Sequence, residues 1–456
     1  MRYRSQWIAY PYFVVALLLF GLQMVFGLLS VVKYLGPDPL LNILDFHVTK
    51  AIHTNLLIVW VLTGFMGATY YVVPEESRTE IYSERLAYWQ LGIWTTLGVV
   101  IVVGYVFGWT AGNKLLEQPW PTKLGIVVVM LMFLYNILMT IRKAGRWTTT
   151  EAVLVAGLGM AAVLYLPALL EFHNYTVSIY YRWWTIHLWV EGVWEMIQAG
   201  LLAYLLIRLS GADREMMEKW LYVIVGLVFI AGIIGTAHHY YWVGVPRYWL
   251  PIGGIFSAME PLALFGMAIY AYAAMRRSGF AHPNKLAIHW TVGSALYTAF
   301  GAGLLGLAHT WPAVNKWTHG TLITPMHGHS AFFGAYVMIN LAVITFALPH
   351  FTGRANDARE STLGYWAFWL QTVGMFGMTL AYATAGIAQT YLERIMGVGY
   401  LDTQLKLQPH FLMLTATGIL FTSGVAAFLW DFFRQVPVRT TVAGPALDAA
   451  PSPSAA

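Results

Sequence analysis

The sequence contains no cysteine among its 456 residues. That excludes disulfides, thiolate metal sites, iron–sulfur clusters and covalently attached c-type haem on this chain. Any metal must be held by histidine and carboxylate. Charge is scarce too: Asp, Glu, Lys and Arg make up 10% of the residues, against about 25% in soluble domains. So few charges cannot coat a soluble globule of this length, so the chain reads as one polytopic membrane protein. Its net charge of +5 is dispersed. It is a topology signal rather than a basic patch, and no nucleic-acid partner is expected.

What is present is apolar. Hydrophobic residues make up 58% of the chain. Stretches long enough to cross a bilayer, about 20 residues each, recur from end to end: roughly 12–35, 51–73, 86–108, 122–142, 151–170, 182–207, 218–243, 251–276, 286–310, 325–348, 364–391 and 408–433. The predicted fold class is all-α, with twelve transmembrane helices filling residues 1–439. No soluble domain interrupts them. Residues 440–456 are rich in Ala, Pro and Ser and have nothing to bury, so a disordered tail is expected there. No small-residue cleavage site follows the first span, which is read as a retained helix. With the N-terminus inside, 17 of the 26 Lys and Arg residues fall in inside segments. That bias places both termini in the cytoplasm of a bacterial-type inner membrane.

Twelve spans alone would suggest a transporter. The histidines move that expectation. Of fourteen, seven lie within or at the edges of predicted spans: His53, His187, His238, His239, His309, His327 and His329. Ionisable residues in a span are costly and point to function. In Pro325-Met-His-Gly-His-Ser330, His327 and His329 project some 200° apart on a helix, so one helix can serve two cofactors. Gly328 leaves room for flat macrocycles. His53 is a candidate partner ligand across a bilayer-embedded haem, and without cysteine bis-histidine haem b is the natural option. Lys50, one turn earlier, either meets haem propionates or snorkels to the interface.

A second cluster suits a metal without a macrocycle. His187 and Glu191 are four residues apart and share a helical face. Their imidazole–carboxylate pairing suits iron better than copper. His238 and His239, adjacent in the chain, would bring the imidazoles to three. Glu195, a turn beyond Glu191, is placed to orient a ligand or carry protons. Glu260, before Pro261, is a third carboxylate in a span, where the proline loosens the helix toward a cavity.

These strings resemble a known family. His53, His187, His238-His239 and His327-Gly-His329 on twelve spans are similar to the catalytic subunit of haem–copper oxidases. Val48-Thr-Lys-Ala-Ile-His53-Thr-Asn-Leu-Leu-Ile-Val-Trp60, His187-Leu-Trp-Val-Glu191-Gly-Val-Trp-Glu195 and Met326-His-Gly-His329 more narrowly resemble the large subunit of cytochrome c-dependent nitric oxide reductases. In most oxygen-reducing relatives a tyrosine occupies the position of Glu191. The resemblance implies a subunit I-like bundle that reduces two NO to nitrous oxide and water. It implies His53 and His329 on haem b, His327 on haem b3, and His187, His238, His239 and Glu191 on a non-haem iron. Glu195 and Glu260 match family carboxylates linked to activity and proton supply. The quinol-dependent relatives carry an additional N-terminal segment that this chain lacks, so a membrane-anchored cytochrome c subunit is the implied electron donor. The alternative is an oxygen-reducing terminal oxidase with copper opposite haem b3.

One departure stands out. The family's outer loop reads Glu-x-x-Glu-Gln-Pro, and its first Glu helps bind calcium beside the haem propionates. Here the string is Lys114-Leu-Leu-Glu117-Gln-Pro119. A lysine cannot ligate calcium, so calcium is doubtful. Lys114 either neutralises the propionates directly or faces water. Glu117 is a candidate for outer-side proton entry.

Overall fold

The computed structural model describes residues 1–36, 44–354 and 361–438. The tail expected from residue 440 onward, and Arg359 and Arg439 of the charge count, lie outside the described residues. Among the described residues the chain is helical throughout, with no strand.

Eleven helices are long and apolar enough to cross a membrane. They are α1 (Arg4–Val32), α2 (Phe46–Ser77), α3 (Glu84–Val106), α4 (Trp120–Ala144), α5 (Thr149–Leu169), α6 (Tyr175–Ser210), α7 (Arg214–His239), α8 (Trp249–Ser278), α9 (Lys285–Thr310), α10 (Ile323–Phe351) and, after α11, α12 (Gln408–Phe433). The remaining expected span, 364–391, is α11 (Thr362–Thr390), a helix of 29 residues. It packs along α12, but its Gly, Thr, Gln and aromatic residues leave it short of the others in apolarity. Among the described residues, eleven of the twelve expected spans are thus clear membrane-spanning helices, and the twelfth is a long helix of lower apolarity.

Three helices form the centre. In their most apolar stretches, 78% of residues in α2 and 83% in α6 and in α10 are buried, against 22–44% in the other spans. Outer helices instead turn Leu18, Val163 and Trp366 to the surroundings; these are lipid-compatible faces in a bilayer. Helix starts follow capping chemistry. Asp45 accepts from the Val48 amide at α2 (3.0 Å), and Thr148 with Glu151 closes a capping box at α5.

Four segments wind wider than an α-helix: Trp189–Val193 in α6, Thr298–Leu304 in α9, Phe333–Val337 in α10, and Tyr391–Ile395 after α11. Such π-turns concentrate at functional sites. Two of them meet closely: a Cβ on Gly334 would lie 2.5 Å from the Thr298 amide nitrogen, so only glycine lets α9 and α10 approach there.

At the end of the bundle where α2 finishes, carboxylates are tied up. Arg208 pairs with Glu75 at 3.2 Å, and Arg214 grips Glu76 through two bonds of 2.8 Å.

Candidate functional site

One cavity of about 1220 Å³ occupies the middle of the bundle. Binding pockets for a drug-sized ligand run about 300–1,000 Å³, so there is room for more than one macrocycle. His53, His187, His238, His239, His327, His329, Glu191 and Glu195 all line it, as do Lys50 and Lys114. These residues come from α2, α6, α7 and α10, and from the loop before α4. The Glu260 side chain lies outside the described residues; its backbone is helical and α8 runs on through Pro261.

The first centre lies between α2 and α10. The rings of His53 and His329 are 6.2 Å apart, centroid to centroid, and within 22° of parallel. A metal–imidazole bond of about 2.0–2.1 Å on each side, plus the two half-rings, fills that gap. His53 Nδ1 lies 3.0 Å from the Gln23 carbonyl and His329 Nδ1 2.8 Å from the Pro325 carbonyl. A nitrogen facing a carbonyl carries the proton, which leaves Nε2 as the lone pair. His327 repeats the pattern on the opposite side of the same helix, its Nδ1 2.9 Å from the Gly301 carbonyl. A Cβ on Gly328 would meet nothing within 4 Å, as the sequence suggested. Gly27 and Gly306 are needed for the opposite reason. A Cβ on either would come within 2.8 Å of His53 Cε1 or 3.0 Å of His327 Cε1.

The second centre lies between α6 and the end of α7. Ligand atoms of His187, Glu191, His238 and His239 all lie within 4.8 Å of one another. Glu191 Oε1 is 3.5 Å from His187 Nδ1, 3.6 Å from His238 Nε2 and 3.7 Å from His239 Nε2. The Nε2 atoms of His238 and His239 are 3.0 Å apart. Both ring nitrogens of His187 are buried without a hydrogen-bond partner, as is His238 Nδ1. Buried polar atoms are normally satisfied, so the bare His187 Nδ1 facing the Glu191 carboxylate, with the Nε2 atoms of His238 and His239 beside it, fits a cation. Three imidazoles and a carboxylate suit a divalent transition metal such as iron.

Local structure differs from the sequence expectation in two places. The expected span 218–243 ends at His239, and its last turn, Thr236–His239, is a tight 3₁₀ turn that helps bring both imidazoles to one centre. Glu191 sits in the wide turn Trp189–Val193 rather than on regular α-helix; it still reaches His187.

The structure adds residues the sequence did not single out. Ser257 Oγ donates to Glu191 Oε2 at 2.5 Å. The Trp183 ring stacks on His239 at 4.6 Å and 7°. His309, one of the seven span histidines already named from the sequence, lies beside His327, centroids 6.3 Å apart, with Thr324 Oγ1 3.2 Å from its Nε2. Arg182 lines the cavity with Lys50 and Lys114. It lies five residues before His187, a spacing that could have drawn attention to it. The cavity wall, and then the charges of Lys50 and Arg182, lower the Lys114 ammonium pKa, with Glu117 opposing them. Glu117 is anchored to α2: Asn55 Nδ2 donates to Glu117 Oε2 at 3.0 Å, and Gln118 Nε2 donates to Asn55 Oδ1 at 2.5 Å.

The family model described as cytochrome C and quinol oxidase polypeptide I matches residues 7–420. A nitric oxide reductase subunit of Stutzerimonas stutzeri is 43% identical over 466 aligned residues, 98% of this chain and 98% of that one. A cytochrome c oxidase subunit 1 homolog of Agrobacterium tumefaciens (strain T37) is 22% identical over 95% of this chain and 82% of its own. A haem–copper terminal oxidase dimer solved by cryo-electron microscopy shares the fold, with a TM-score of 0.74 at 15% identity over 96% of this chain and 85% of that chain.

Proposed function

We propose a function for a chain that belongs to the cytochrome c and quinol oxidase polypeptide I family and, within it, stands with the nitric oxide reductases. It is the catalytic subunit of a nitric oxide reductase, taking two NO, two electrons and two protons to nitrous oxide and water. The family implies haem and metal cofactors in a multi-pass membrane protein. The finer reading is haem b between His53 and His329, haem b3 on His327, and a non-haem iron on His187, His238, His239 and Glu191. A membrane-anchored cytochrome c subunit is the donor, and both termini are cytoplasmic.

The observation that carries this reading is Glu191. Its carboxylate lies within 3.7 Å of three imidazole nitrogens. An anionic ligand lowers the net charge of the site, which favours loss of an electron by a ferrous ion.

When bound, the haems and iron supply electrons and two adjacent metal positions for the substrate nitrogens. The protein's own contribution is placement. His327 and the four-residue cluster line one cavity, so two NO molecules are held together and much of the acceleration comes from proximity. Carbonyls of Gln23, Gly301 and Pro325 hold each haem-side imidazole in one tautomer. Phe332, Trp194 and Tyr336 wall the site with apolar surface, which strengthens electrostatics inside. Glu195, 3% exposed on the cavity wall, is one turn beyond Glu191 and serves proton delivery, with Glu260 in the same role. Lys50, Lys114 and Arg182 meet the haem carboxylates.

The test is metal and haem analysis of the purified complex, with NO consumption followed alongside. Two b haems, one further iron, no copper, and nitrous oxide as product are expected. One copper in place of the third iron would overturn the reading in favour of oxygen reduction. A preparation without haem would leave a transporter.

A further inference from the structure

The wide turn Trp189–Val193 that carries Glu191 is not held by its own helix alone. Tyr336, 3% exposed, donates its hydroxyl to the Val190 carbonyl inside that turn. A side chain inserted into a helical ladder is a recognised cause of such distortions. Tyr336 itself sits in another wide turn, Phe333–Val337, about two turns after His329 on α10. Its ring is fixed edge-on by Trp194 (5.2 Å, 86°), Phe332 (5.4 Å, 74°) and Phe65 (6.3 Å, 88°). The hydroxyl is therefore aimed by packing and has little freedom to follow a turn that relaxes. Gly334, pressed against Thr298 of α9, fixes the Tyr336 turn from behind.

Val190 is the residue before Glu191. An added residue in a helical turn rotates the residues beyond it by about 100°. If the turn closed to regular α-helix, Glu191 would swing relative to His187, and the carboxylate would leave the three imidazoles. Ser257 fixes one carboxylate oxygen but cannot hold the backbone. We propose that Tyr336 is a positioning residue: its hydroxyl on the Val190 carbonyl maintains the wide turn that aims Glu191 at the metal cluster. The helix bearing His327 and His329 thereby sets the geometry of the opposite centre. This rests on Glu191 as an iron ligand.

The test is Tyr336→Phe, which keeps the ring and its packing and removes only the donor. The variant is purified with its donor subunit and dialysed against a chelator, and iron and haem are then counted. Non-haem iron is expected to be held about tenfold more weakly, the scale of loss when a group orienting a ligand is removed. The spectrum of the haem held by His53 and His329 and the melting temperature are expected to stay as in the parent. The absorption of the high-spin haem facing the iron should shift. Iron retention and spectrum equal to the parent would overturn the proposal. So would parallel loss of haem, iron and thermal stability, which would mean a merely structural tyrosine. Glu191→Gln, measured beside it, separates the two ideas. If that variant keeps its iron, the ligand reading fails. If it loses iron and Tyr336→Phe does not, only the positioning role fails.

Discussion

The imidazoles of His53 and His329 face each other across 6.2 Å, within 22° of parallel, although they come from helices far apart in the chain. Each is pinned by a backbone carbonyl, and the His53 ring is packed against Gly27.

That packing makes Gly27→Ala a sharp test. The new methyl would lie 2.8 Å from His53 Cε1, closer than real contacts allow, and would displace the ring. The low-spin b-haem spectrum should become mixed-spin or be lost, while the haem on His327 stays. Redox difference spectra of the purified variant read this directly, and an unchanged low-spin band would refute the pairing.

Glu191→Gln keeps the shape of the side chain and removes its charge. Iron at the cluster of His187, His238 and His239 should be bound at least about tenfold more weakly, and NO turnover should fall with it, at unchanged haem content. The ratio of iron to haem after chelator treatment checks the outcome. Ser257→Ala, which removes the 2.5 Å bond to the same carboxylate, should show a smaller loss in the same direction.

Lys114, Lys50 and Arg182 line one cavity. If they neutralise haem carboxylates, removal of calcium alone should leave turnover unchanged. Lys114→Gln should lower a haem midpoint potential, because a nearby positive charge favours the reduced haem. Redox titration is the check; a potential unmoved by the substitution would remove Lys114 from the site.

Glu80 predicts a pH effect on stability. Partial burial raises its pKa, but amide hydrogens of Arg4 and Ser5 and the Ser5 hydroxyl outweigh that, and the net shift is downward. The folded pKa therefore lies below the unfolded value of about 4.3. The stabilisation is fully present above that value and is lost as pH falls through the folded pKa. Glu80→Gln should lower the melting temperature by a few degrees at neutral pH. The gap from the parent should close below roughly pH 4. A constant gap across that range would mean that the charge is not responsible.

Much of the site was legible in the sequence because its parts are unusual. Histidine and glutamate are costly in a bilayer, so His53, His187, Glu191, His238, His239, His327 and His329 stood out against a 58% hydrophobic background. The alternation in His327-Gly-His329 implied two opposed directions by helical geometry alone. Arg182 carries no such signal, because its exposure to the cavity depends on which way α6 turns. Ser257 and Tyr336 carried no signal, since serine and tyrosine are ordinary in apolar helices. Gly27 and Gly301 act through missing side chains and a backbone carbonyl, which no motif records.

Composition and residue types that are costly to bury were enough to establish the helical class, the membrane setting, the absence of thiolate chemistry and the make-up of the candidate ligand set. Folding in three dimensions settled which helices are central, where the wide turns fall, and which carbonyls and hydroxyls aim each ligand. Those features depend on close approaches between segments far apart in the chain, such as Gly334 against Thr298 and Tyr336 against Val190, and local helical periodicity does not encode such approaches.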